Sequence, residues 1–80
     1  MGQELPVCSG KDVIKILESL GYKIYAQHGS HVKLKRKYSE GDHIIVVPLH
    51  KELDKGTLKS IVRMVSKYLD ASVFIEKLKR

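Results

Sequence analysis

The sequence predicts an α+β fold of two layers: a three-stranded antiparallel sheet with helices on one face, in the order α-β-β-β-α, plus a short extra helix at the C-terminal end. Three observations lead there. One stretch near each end places apolar residues at helical spacing, three stretches between them have strand-like patterns, and the links joining those strands are too short for a parallel crossover.

The first helix is expected over about Gly10 to Leu20. Ser9 followed three residues later by Asp12 is a variant of the capping box, and Val13, Ile14, Ile16, Leu17 and Leu20 form an apolar stripe that Gly21 ends. From Tyr22 to Gln27, Tyr22, Ile24 and Ala26 alternate with Lys23, Tyr25 and Gln27, the period of a half-buried strand. After the link His28-Gly29-Ser30, the run from His31 to Lys37 alternates most cleanly of all. Val32 and Leu34 point to one side, and His31, Lys33, Lys35 and Lys37 to the other. Ser39-Glu40-Gly41-Asp42 is a turn by composition, and His43 to Val47 is a third strand that Pro48 terminates.

A loop from Leu49 to Asp54 precedes a second helix with Leu58, Ile61, Val62, Val65 and Leu69 on one face and Lys59, Arg63 and Lys67 as a separate basic stripe. Asp70 is placed to cap a last short helix in which Phe74, Ile75 and Leu78 turn inward. With both main helices on one side, the other sheet face is open. Parity assigns it His31, Lys33 and Lys35, joined by Lys23, Tyr25 and Gln27 from the preceding strand.

A chain of 80 residues, 42% hydrophobic and 30% charged, is expected to form a single domain over residues 1–80 without a large internal cavity, so any chemistry sits on a face or shallow groove. Fifteen Lys and Arg against nine Asp and Glu give a formal charge of +6, a balance that draws in polyanions. The excess is localised: between Ser19 and Ser39 lie Lys23, Lys33, Lys35, Arg36 and Lys37 with no acid, which makes nucleic acid the leading partner. Cys8, the sole cysteine, excludes an internal disulfide and a four-cysteine zinc site, suits a reducing cytoplasm, and reads as a buried or incidental thiol near a helix start. No segment has the apolar core of a signal peptide or a membrane span, and the longest apolar run, Ile44 to Leu49, is strand-sized.

Gly29-Ser30-His31, preceded by a helix ending Leu20-Gly21-Tyr22 and followed by Val47-Pro48-Leu49-His50 and Lys55-Gly56-Thr57-Leu58-Lys59-Ser60-Ile61, resembles the HicA toxin family of small mRNA interferases. The resemblance runs from about Lys11 to Leu78. It implies a fold similar to a double-stranded RNA-binding domain, a metal-independent ribonuclease acting on mRNA, and a HicB-like antitoxin protein as partner. The family's catalytic histidine carries over onto His31 alone.

RNA supplies its own nucleophile in the 2′-hydroxyl, so such an enzyme needs a proton acceptor, a proton donor and cations around the phosphate. An imidazole, with an ordinary pKa near 6.5, suits either proton transfer, and His31 is assigned one of them. His50, His28 and Tyr25, in that order, are the candidates for the other, unless one histidine serves both. Gly29 and Ser30 of the motif, Lys33, Lys35 and Lys37 of the open face, His50 and Lys59 are the residues expected at RNA. His28 and His43 flank turns, which gives each a plainer structural reading. His28 and His31 form a metal-like pair by spacing, but no acid or cysteine is near them in sequence, and neither a metal nor a small-molecule cofactor is expected. The competing readings are a non-catalytic RNA-binding module of the same fold and a protein-interaction domain whose basic face meets an acidic partner.

Overall fold

The capping box read from the sequence is formed: the Ser9 side chain accepts from the Asp12 N–H and the Asp12 carboxylate from the Ser9 N–H, each at 3.1 Å. In the computed structural model, which describes residues 5–79, helix α1 (Gly10–Ser19) starts at this cap and leads into Gly21, whose φ of 96° is a glycine conformation that lets the chain turn toward the sheet. Strands β1 (Lys23–His28), β2 (His31–Tyr38) and β3 (Gly41–Pro48) follow, then α2 (Lys55–Val65) and α3 (Ala71–Leu78). Asp54 caps α2 by accepting from the Thr57 N–H at 2.7 Å, and Asp70 caps α3 through the Ser72 N–H at 3.0 Å.

The three strands form one open antiparallel sheet in the order β1-β2-β3, with β2 in the middle. Val32 and Leu34 of β2 and Ile45 and Val47 of β3 are buried, and against them pack Val13 and Leu17 of α1, Leu58, Ile61 and Val65 of α2, and Phe74 of α3. Cys8 is buried beside the start of α1. This is the expected two-layer α+β arrangement of the double-stranded RNA-binding type, with α3 added.

Two expectations are corrected. The apolar stripe of the second helix extends in sequence to Leu69, but α2 ends at Val65; Leu69 lies in the following turn, partly buried against the core. In β1 the simple alternation fails. Lys23 pairs with Lys35 and Ile24 with Leu34, yet the next rung pairs Ala26 with Lys33, leaving Tyr25 as an extra residue in a β-bulge. One inserted residue reverses the parity of the remainder of the strand. Gln27 therefore pairs with the core residue Val32 and leaves the open face, where it was expected, while Ala26 and His28 move onto it. The displaced Gln27 amide donates to the Gly29 carbonyl at 3.1 Å and braces the turn.

Where α1 meets the end of β3, contact is backbone to backbone. The Gly10 N–H donates to the His50 carbonyl at 2.9 Å, and a Cβ on Gly10 would run into the Pro48 carbonyl oxygen while lying 3.1 Å from the Leu49 Cα. No flexible side chain is there to give way. Gly10→Ala is therefore expected to cost about 1–3 kcal/mol, which for a domain of this size lowers Tm by roughly 4 to 24 °C in thermal denaturation. An unchanged Tm would show that α1 does not depend on this close approach.

Candidate nucleic-acid interface

The β1–β2 hairpin turns through Gly29 and Ser30 alone. Gly29 has φ 59° and among the described residues no non-glycine has a positive φ, the pattern of a type II′ turn, which wants glycine first and matches the twist of paired strands. The Leu49 N–H donates to the Ser30 carbonyl at 2.6 Å, and the next residue, His50, accepts from Gly10. The turn is thus tied through Pro48, Leu49 and His50 to the start of α1.

His31 opens β2 with His28 directly opposite, and both are exposed. Along the open face the next rungs set Lys33 between Ala26 and Val46, and Lys35 between Lys23 and Ile44, with Lys37 paired to Asp42 beyond. The Lys35 ammonium lies 4.9 Å from the centre of the Tyr25 ring and 3.7 Å from the Asp42 carboxylate. Tyr25, Ile44 and Val46 are each more than 40% exposed, so the row of cations is flanked by an aromatic ring on one side and an aliphatic strip on the other. A shallow hollow of about 640 Å³ opens between Lys23, Tyr25, Lys35, Lys37 and Asp42.

Gly29, Ser30, His31, Lys33, Lys35 and Lys37 are therefore gathered on one hairpin and one face. The other expected residues stand elsewhere. His50 lies beyond Leu49 and lines a separate hollow of about 440 Å³ with Ser9, Lys11, Leu49 and Lys51. Lys59 is on α2, in the helical layer, beside Leu5, Val62, Arg63 and Ile75. Arg36, counted in the basic stretch of the sequence, has the parity of Val32 and Leu34; it donates to the Leu20 carbonyl at 2.9 Å and covers the Tyr38 ring at 4.7 Å. His28 is the functional candidate that strand alternation hides. Its signal was the two-residue Gly-Ser loop, which alone sets His28 opposite His31.

Among the described residues no three His, Cys, Asp or Glu side chains gather into a metal-binding group, and no helix is long and apolar enough to cross a membrane. A family model described as HicA toxin of bacterial toxin-antitoxin matches residues 10–66, from the start of α1 through the whole sheet to the end of α2. No curated protein matches the chain.

His43 is a fourth histidine with an opposite environment. It sits inside β3 and not at a turn: only 5% exposed, with its Nδ1 hydrogen-bonded to the Tyr22 hydroxyl at 2.7 Å, which also meets the Tyr38 hydroxyl at 3.2 Å. Tyr68 stacks on Tyr38 at 4.1 Å and meets the His43 ring edge-on at 4.8 Å, and among the described residues Nε2 has no hydrogen-bond partner. Burial, and then the Lys67 charge, lower the His43 pKa, while burial and the Tyr38 hydrogen bond raise that of Tyr22. His43 is thus a neutral core residue remote from the His31 end of the sheet.

That environment fixes a sign. Below about pH 6.5 the unfolded chain protonates this imidazole while the folded chain resists, so the unfolded state binds more protons and stability falls with pH, by at most about 1.4 kcal/mol per unit. Tm is expected to decline between pH 7 and pH 5 in the native sequence and to decline less in His43→Phe. Parallel Tm curves for the two would show that His43 is not the group responsible.

Proposed function

The chain belongs to the HicA toxin family of bacterial toxin–antitoxin systems, and from that premise we propose that it is an endoribonuclease that cleaves mRNA, with His31 transferring a proton at the scissile phosphate. The family implies a cognate antitoxin, and we infer one of the HicB type. The observation that carries the catalytic reading is the placement of an exposed imidazole at the end of a cation row on the sheet face that no helix covers.

Each part of that face has a chemical use. The 2′-hydroxyl attacks the adjacent phosphorus, so the protein need supply only proton transfer and charge. Lys33, two residues from His31 and the next side chain of β2 on the same face, stabilises the extra negative charge on the phosphorane. Lys35 is partly neutralised by Asp42, which concentrates the attraction for phosphate at the Lys33 end. Tyr25 offers a ring for stacking an unpaired base, and Ile44 and Val46 an apolar shelf beside it, features suited to single-stranded RNA. Ser30 and Gly29 shape the turn that presents His31, and their backbone allows a close approach of the strand.

Purified protein in EDTA is expected to cut a long mRNA and leave 2′,3′-cyclic phosphate ends, and His31→Ala to lose about 10²- to 10⁴-fold in rate while staying folded and ceasing to arrest growth on induction. A 5′-phosphate product, or a His31→Ala chain as active as its parent, would overturn the mechanism; RNA binding without cleavage by either chain would leave a binding module. For the cations, Lys33→Ala combined with Lys35→Ala is expected to weaken binding to single-stranded RNA and to reduce the slope of log K against log salt by about 1.4, or 0.7 per phosphate contact. An unaltered slope would remove both lysines from the RNA path.

A further inference from the structure

We propose that His28 is the second proton-transfer group and that His28 and His31 act as a pair across the hairpin. The inference rests on the ribonuclease reading and goes beyond it, since nothing in the motif assigns a role to His28.

Residues directly opposite one another in an antiparallel pair share a face, and their Cβ atoms are about 4.5–5.5 Å apart. His28 and His31 are such a pair, on the last rung before the Gly29-Ser30 turn. Without the bulge at Tyr25, the alternation that puts Lys23 on the open face would put His28 on the other; with it, Lys23 and His28 are both there. Two exposed imidazoles on one rung can approach a phosphate from two sides, as an in-line displacement requires. On the next rung of the same face, two residues along each strand, Lys33 faces Ala26, the smallest side chain of that face.

The other two candidates are placed less well. His50 belongs to the loop beyond Leu49 and lines the hollow beside the α1 start. Tyr25 is displaced along β1 by the bulge and its ring is engaged by Lys35.

In the reaction one neutral imidazole takes the 2′-hydroxyl proton as the 2′-oxygen forms its bond to phosphorus. The bond from phosphorus to the 5′-oxygen breaks, and the other, protonated imidazole gives its proton to that oxygen. The products are a 2′,3′-cyclic phosphate and a 5′-hydroxyl, with the two imidazoles left in exchanged protonation states that solvent restores. No metal or oxidant enters the balance.

The test uses the whole 80-residue chain, with His28→Ala, His28→Gln and His31→Ala each checked for folding by circular dichroism. A short RNA containing the cleavage site mapped with the native chain is assayed in EDTA across pH 5 to 9. Both His28 variants are expected to lose about 10²-fold or more in kcat with little change in KM, and to convert a bell-shaped pH profile into one with a single limb. The same RNA with sulfur in place of the scissile 5′-oxygen has a leaving group that needs no proton. It is expected to restore cleavage to one of the two histidine→Ala variants and not to the other.

A His28→Ala chain that keeps its rate within about threefold and its two-limbed profile, beside an inactive His31→Ala, overturns the pair and leaves the ribonuclease reading intact. Restoration of both alanine variants by sulfur, or of neither, also overturns the division of roles. Absence of cleavage by the native chain in EDTA would overturn the underlying reading first.

Discussion

Everything at the candidate site hangs on the burial of Val32 and Leu34 in the central strand. These two side chains leave β2 no freedom of register, because a slip by one residue would exchange its apolar and charged faces. With them fixed inward, His31, Lys33, Lys35 and Lys37 are fixed outward. The histidine and the cations are thus positioned by the hydrophobic core beneath them, from the far side of a single strand. A site carried on such a strand is held by packing that involves none of its own polar groups.

The neighbouring strands modify this frame in different ways. β3 pairs with β2 rung for rung from Gly41 to Pro48, so its Ile44 and Val46 fall beside the lysines as alternation demands. β1 departs by one residue at Tyr25, and the departure is what makes the face asymmetric: lysine and tyrosine toward one end, alanine and histidine toward the other. The backbone bonds from Leu49 to Ser30 and from Gly10 to His50 then anchor the histidine end to the rest of the chain. The close approach that Gly10 permits is remote from the open face in sequence, yet two backbone hydrogen bonds through Leu49 and His50 connect Gly10 to the turn that presents His31.

The parts legible in the sequence were those set by local rules. Ser9 with Asp12, Asp54 and Asp70 cap helices through side chains a few residues from the N–H groups they accept, and β2 alternates because only one of its faces is covered. The bulge was not legible from alternation, since Ala26 is small enough for either face and Gln27 long enough to reach back to Gly29 from the side on which it lies. Arg36 and His43 show a different failure. Both have core parity, and both were read by what surrounds them in sequence, a basic run for one and a turn for the other. Lys59 was legible as an exposed residue of a helix that the two-layer reading already placed on the covered side of the sheet, and it stands there, beside Val62, Arg63 and Ile75, away from the open face.

The two ends of the sheet show why residue type alone does not assign function here. At one end His43 is enclosed by Tyr22, Tyr38 and Tyr68, with Arg36 stacked outside Tyr38, and burial holds the imidazole neutral. At the other, His28 and His31 stand in solvent on a face whose charge attracts phosphate. Proton exchange with a substrate demands access, and that demand separates these histidines more sharply than their neighbours in sequence do. An 80-residue chain has little interior to spare, and here the core orients the surface on which the proposed site lies. A polyanion laid across that surface would itself exclude water from the rung that carries both exposed histidines, supplying part of the low-dielectric environment that the small fold does not provide alone.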